Sequence, residues 1–152
     1  MYTLNLSNQD MEVLTNSPSE TKELGEKVAK QLKNSGSKIF LKGNLGAGKT
    51  AFTQGFAKGL GISQKIISPS FLIIREYKIP NSRKLFYHVD LYRFNKEVNI
   101  QEIGLSEILE SNNFVVVEWA DKLTGLKPDL LISFESIGEN SRKITFSGKI
   151  QV

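Results

Sequence analysis

The residues of this chain whose types and spacing speak most directly to chemistry are Gly43-Asn44-Leu45-Gly46-Ala47-Gly48-Lys49-Thr50. They fit the phosphate-loop pattern Gly-x-x-x-x-Gly-Lys-Ser/Thr at every fixed position. Glycines let the backbone curl so that successive N–H groups point inward, forming a cradle for phosphate oxygens. A helix starting at the lysine adds unpaired N-terminal donors and the positive end of its dipole. Lys49 brings a mobile charge to the β- and γ-phosphates, and Thr50 offers a hydroxyl to Mg²⁺. The segment therefore predicts binding of a nucleoside triphosphate with Mg²⁺, with Asn44, Leu45, Gly46, Ala47, Gly48, Lys49 and Thr50 as its contacts.

Such a loop only binds; hydrolysis also needs an acid on the metal side and a group that positions water. Glu118 follows the apolar run Phe114–Val117, where a Walker-B-type acid sits at the carboxyl end of a buried strand. Its plainer reading is a strand-end glutamate facing solvent. Asp90 ends another β-prone segment and shares a face with His88; its plainer reading is a turn cap. His88 is the only histidine and reads more readily as a strand residue than as a catalyst. Trp119 reads as packing beside the buried strand rather than as a base-stacking platform. In Ser68-Pro69-Ser70-Phe71 a hydroxyl could sense the γ-phosphate as switch loops do, or the segment is an ordinary proline turn. Guanine specificity is disfavoured. Asn95-Lys96-Glu97-Val98 lacks the final Asp of N-K-x-D, and Asp90-Leu91-Tyr92-Arg93 lacks the glycine of the usual switch.

The elements that must position these groups are legible in outline. Ser17-Pro18-Ser19-Glu20 is a helix start, with Ser17 as N-cap, and Leu24, Val28 and Leu32 recur on one helical face. Asn34-Ser35-Gly36 ends it. Lys38–Lys42 predicts a strand running into the loop, and a second helix begins at Lys49, buries Phe52, Phe56 and Leu60, and closes at Gly59 and Gly61. Phe71–Ile79 and Lys84–Tyr92 read as an antiparallel hairpin around Pro80-Asn81-Ser82. Ile100, Ile103, Leu105, Ile108 and Leu109 suit a helix up to Ser111, and Phe114–Val117 a central strand buried on both faces. Asp129–Phe134 and Arg142–Phe146 form a final hairpin, and Tyr2–Leu6 alternates like a short edge strand. The expected fold is a single α/β domain over residues 1–152, P-loop NTPase-like. Its mixed sheet has a parallel centre, antiparallel edge strands and helices on the faces.

The totals exclude several classes. With 152 residues the chain suits one domain with its own core. The absence of cysteine removes disulfides, thiolate zinc sites and cysteine nucleophiles. The start, MYTLNLSNQD, has no basic region followed by an apolar core, and no apolar run approaches the roughly 20 residues of a membrane span. A soluble, cytoplasmic protein with no membrane partner is expected. Twenty Lys and Arg against 16 Asp and Glu give a net charge of +4, which would help attract polyanions such as nucleotides or RNA. The plainer reading is a solvated surface with a modest lysine excess, since no run of five like charges appears.

Several motifs coincide in order: ETKELGEKVAKQL, GNLGAGKT, SPSF followed by REY, HVDLYR and VVEWAD. Together they resemble the TsaE (YjeE) family, the small bacterial ATPase of tRNA threonylcarbamoyladenosine biosynthesis, across nearly all of residues 15–135. The resemblance implies binding and hydrolysis of ATP with Mg²⁺. It also implies association with a TsaB–TsaD pair, in which TsaD makes the transfer to tRNA. tRNA is then met only through that complex. Carried over by residue, Gly43 to Thr50 match the phosphate loop, and Thr50 and Glu118 the Mg²⁺-side pair. Asp90 matches the acid of the HxDLYR segment, so Lys49, Asp90 and Glu118 are the expected catalytic residues. Ser70 stands where the family usually has threonine, which keeps the hydroxyl and loses the methyl. Two alternatives remain at this level: a small-molecule kinase on the same fold, although no arginine-rich lid is evident, and a non-hydrolytic nucleotide-gated adaptor.

Overall fold

β-Branched and aromatic residues alternating or clustered between turn signals build one mixed sheet. The computed structural model describes residues 2–3, 10–69, 72–148, 150 and 152. Its strands are β1 (Tyr2–Thr3), β2 (Met11–Thr15), β3 (Lys38–Gly43), β4 (Ile74–Lys78), β5 (Leu85–Asp90), β6 (Phe114–Glu118), β7 (Leu130–Ser136) and β8 (Arg142–Gly148). Its helices are α1 (Pro18–Leu32), α2 (Lys49–Gly59) and α3 (Leu105–Glu110). Among the described residues the sheet has eight strands in the order β1-β2-β8-β7-β3-β6-β5-β4. β7, β3, β6 and β5 run parallel, and the pairs on either side are antiparallel. The parallel centre and antiparallel edges are those expected.

Each face of the sheet has its own core. α1 and α2 cover one face, burying Leu24, Val28, Phe52 and Phe56 against Ile39, Phe86, Phe114 and Phe134. α3 and the turns around it cover the other, packing Leu105 against Val89, Val115 and Val117. β6, an inner strand, is buried at every position including Glu118, and the other four positions are its unbroken apolar run Phe114–Val117. Burying each such side chain contributes roughly 1.5–3 kcal/mol of hydrophobic stabilisation.

Local chemistry sets the helix ends. Ser17 Oγ accepts from Glu20 N at 3.1 Å, and Glu20 Oε2 accepts from Asn16 N at 2.7 Å, one residue ahead of the usual capping-box amide. α2 ends in a Schellman motif, with Ile62 N donating to Ala57 O at 3.1 Å and Gly61 N to Lys58 O at 2.9 Å. α1 and α2 approach closely because glycine sits at the crossing. A Cβ on Gly55 would lie 1.9 Å from Lys22 O, and one on Gly25 2.2 Å from Phe52 O.

The structure differs from the sequence expectations at several elements. β2 has no counterpart among them. It joins the sheet through β8, across more than a hundred residues of chain, which local patterning does not reveal. The strand expected over Phe71–Ile79 begins only at Ile74, and Phe71 lies outside the described residues. The helix expected from Ile100 is shorter, starting at Leu105. Gly104 takes φ +74°, and the Asn99 side chain accepts from Gln101 N, so turns replace the first helical turn. Ile100 and Ile103 still pack on the second core. Of the expected edge strand Tyr2–Leu6, Tyr2–Thr3 is β1 at the sheet margin, and the remainder lies outside the described residues. No helix of the described residues is long and apolar enough to cross a membrane.

Candidate functional site

Three parallel strands deliver their carboxyl ends to one place. β3 runs into the glycine loop, β5 ends at Asp90 and β6 ends at Glu118, with Asp90 and Glu118 paired in register on adjacent strands. This is where open α/β sheets hold ligands. A cleft of about 620 Å³ opens there, lined by Leu45 to Ala51, Asp90, Glu118 and Trp119.

The loop has the geometry its glycines permit. Gly46 and Gly48 take φ +75° and +105°, conformations that side-chain-bearing residues rarely adopt. Gly48 is the N-cap of α2 and supplies no side-chain oxygen, so the first amides of the helix keep no side-chain partner. Ala47 is buried, Asn44 and Leu45 are exposed, and Asn44 O accepts from Ala47 N at 3.1 Å. Arg142, on β8, braces the loop from outside. Its Nη2 donates to Gly46 O at 3.1 Å, and its Nη1 to Gly138 O and Glu139 O at 3.1 and 3.2 Å.

Lys49 is buried, and its ammonium donates to Gly43 O and to Asn44 O at 2.8 Å. The same nitrogen lies 4.2 Å from the centre of the Trp119 ring, a cation–π contact. Burial pushes its pKa below the ordinary lysine value, and the charges of Glu118, Asp90 and Asp121 pull it partly back. Trp119 sits at φ +59°, which ends β6 sharply beside the lysine.

Glu118 is buried and surrounded by polar groups from two elements. Thr50 Oγ1 lies 3.5 Å from its Oε2, Thr53 Oγ1 3.3 Å from its Oε1, and His88 Nε2 2.9 Å from the same Oε1. Asp90 is anchored differently, Ser68 Oγ donating to Oδ2 at 2.8 Å and Tyr92 N to Oδ1 at 2.9 Å. The solvent-facing reading of Glu118 is thereby overturned. The turn-cap reading of Asp90 holds in part, since its side chain caps the Leu91–Tyr92 turn while facing the cleft.

The residues present fit a triphosphate with a hard divalent cation. The glycine cradle and uncapped helix amides suit phosphate oxygens. Thr50 and Glu118 offer oxygen donors only, the few-ligand kind that Mg²⁺ accepts alongside phosphate.

Of the residues singled out from sequence, the structure gathers Lys49, Thr50, Asp90 and Glu118 at this cleft. Ser70 lies outside the described residues. Sequence reasoning does not reach Thr53 or Arg142. Thr53 carries a faint signal, three residues after Thr50 on the same helical face. Arg142 carries none, because its place depends on the pairing of β8 with β7.

Comparison with known proteins agrees with this architecture. The family "Threonylcarbamoyl adenosine biosynthesis protein TsaE" matches residues 15–144. The tRNA threonylcarbamoyladenosine biosynthesis protein TsaE of Bacillus subtilis is 40% identical over 136 residues, spanning 88% of this chain and 82% of that protein. Its namesake from Treponema pallidum is 33% identical over 137 residues, spanning 89% and 98%. The crystal structure of Bacillus subtilis YdiB superposes with a TM-score of 0.67 at 31% identity, covering 92% of this chain and 86% of that one. The family match spans both helices of the first face, the loop and both acids, so this chain belongs to the TsaE family of tRNA threonylcarbamoyladenosine biosynthesis.

Proposed function

We propose that this chain binds ATP with Mg²⁺ and hydrolyses it in the cytoplasm. In this reading the turnover acts on a TsaB–TsaD-like complex and sustains tRNA modification without transferring the threonylcarbamoyl group itself. The observation that carries the reading is the convergence of the glycine loop, Thr50, Glu118 and Asp90 at the carboxyl ends of three adjacent parallel strands.

The residues divide the work by position. Uncapped amides at the start of α2 and the loop backbone bind phosphate oxygens, and Lys49 offers its charge to the same oxygens. Its seat on Gly43 and Asn44 keeps the ammonium inside the loop, so little side-chain entropy is lost on binding. Thr50 and Glu118 would hold Mg²⁺, which when bound neutralises charge developing on the transferred phosphoryl group. Asp90, fixed by Ser68 and Tyr92, is the candidate for orienting the attacking water and accepting its proton. Lys49, Asp90 and Glu118 are therefore the proposed catalytic residues.

The test is ATP hydrolysis by the purified chain, measured alone and with a TsaB–TsaD pair, alongside modification of tRNA. Hydrolysis that rises with the pair and modification that continues over many cycles are expected. If neither changes when this chain is added, the proposal fails. Transfer of phosphate to a metabolite instead of water would favour a kinase.

A further inference from the structure

The chain's single histidine is wholly buried and touches an acid of the cleft. We propose that His88 is the positioning residue for Glu118: its Nε2–H holds Oε1 of the carboxylate and leaves Oε2 turned toward Thr50 for a cation. The inference rests on the reading of Thr50 and Glu118 as the cation side of a triphosphate site.

Few donors reach the Glu118 carboxylate. A hydroxyl has one hydrogen. That of Thr53 has a nearer acceptor in Lys49 O, at 2.9 Å, than in Glu118 Oε1, at 3.3 Å. The Thr50 hydroxyl lies 3.5 Å from Oε2, at the limit of a hydrogen bond. His88 Nε2, 2.9 Å from Oε1, is thus the one well-placed donor to Glu118 among the described residues.

The ring's other nitrogen points to the same tautomer. Nδ1 is buried with no hydrogen-bond partner among the described residues. A carboxylate only accepts, so the hydrogen belongs on Nε2. Nδ1 then keeps an unpaired lone pair, which is better tolerated in a protein interior than an unpaired N–H. The backbone suits this positioning role. His88 and Glu118 project to the same face from adjacent parallel strands, with β6 pairing Val116 opposite His88. Sheet register therefore sets the reach between ring and carboxylate. Outer-shell partners of this kind orient a metal-side ligand without touching the metal.

Two measurements test this. With a single histidine, ¹⁵N NMR of the ring nitrogens reads the tautomer without ambiguity. Hydrogen on Nε2, with that signal shifting in Glu118→Gln, is expected; hydrogen on Nδ1 overturns the inference whether or not any variant folds. The second measurement is binding of a non-hydrolysable ATP analogue, with Mg²⁺ and in EDTA, to wild type, His88→Leu and His88→Gln. His88→Leu is expected to lose about tenfold in affinity with Mg²⁺ and less than about twofold in EDTA. His88→Gln, which keeps an amide donor near the Nε2 position, is expected to stay within about threefold of wild type. Equal losses with and without Mg²⁺, or no loss in His88→Leu, overturn the positioning role and leave the proposed function standing. If His88→Leu does not fold, a full Mg²⁺-specific loss in His88→Gln overturns it. A wild-type affinity that ignores Mg²⁺ overturns the proposed function, and this inference with it.

Discussion

Helix α2 has two working sides, and they are built by opposite rules. Phe52 and Phe56 enter an aromatic cluster, Phe52 edge-on to Phe134 at 5.7 Å between ring centres and Phe56 within 5.8 and 6.1 Å of Phe86 and Phe114. Thr50 and Thr53, on the adjoining side, meet Glu118, which His88 holds in turn. Phe52, Phe56, Thr53, Glu118 and His88 are all buried, and Thr50 is half-buried at the cleft wall. The aromatic side gains stability from area and needs no particular partner atom. The polar side contains a buried acid, which is costly unless its hydrogen bonds are made. One region therefore holds the helix still, and the other uses that rigidity to keep a carboxylate in a fixed place. The difference predicts that substitutions on the two sides separate stability from activity.

The largest effect should come from the aromatic side. Phe56→Ala is expected to lower unfolding free energy by about 3–5 kcal/mol, read from denaturant midpoints, with nucleotide affinity of the folded protein nearly unchanged. A loss much below that range would mean the cluster relaxes around the gap. Next comes the polar side. Glu118→Gln should slow ATP turnover by about 100- to 1000-fold, or about 2.7–4 kcal/mol of barrier, while the unfolding midpoint barely moves. Were Glu118→Gln as destabilising as Phe56→Ala, the polar side would be structural and the contrast would collapse.

A smaller change sharpens the contrast within the loop. Lys49→Ala removes a charge-assisted contact and should weaken triphosphate binding by about 10- to 150-fold, or about 1.5–3 kcal/mol, in calorimetric titration. Unchanged affinity would confine Lys49 to bracing Gly43 and Asn44. Ser17→Ala, at the start of α1 and away from both sides of α2, removes the cap on Glu20 N. It is expected to cost about 1 kcal/mol of stability and to leave turnover alone. Thermal melting and the ATPase rate, measured on the same sample, check both halves of that expectation.

Much of the site is legible without the fold. The glycine loop, its lysine and its threonine announce themselves by spacing, and Glu118 by its place after an unbroken apolar run. The antiparallel hairpin of β4 and β5, including which side chains share a face, also follows from alternation and a proline turn. Legibility stops where a glycine or a distant strand intervenes. Apolar spacing from Ile100 onward mimics a helix, but Gly104 in the left-handed region breaks the chain there. β2 is short, and its partner lies near the other end of the chain. Glycines at the α1–α2 crossing look like weak points in two helices; they are the places where backbones touch.

By itself the sequence determined the loop, the helix caps, the alternation of faces and the family motifs. These depend on residues a few positions apart, where backbone sterics and hydrogen-bonding reach decide the outcome. The tertiary structure alone decided that His88 meets Glu118, 30 residues away, and that Arg142 braces Gly46 across 96. Those contacts follow from the order and register of the strands, which only the packing of the two cores against the sheet selects. A buried acid gains its partners from whatever strands are brought alongside it, and no local pattern names them in advance.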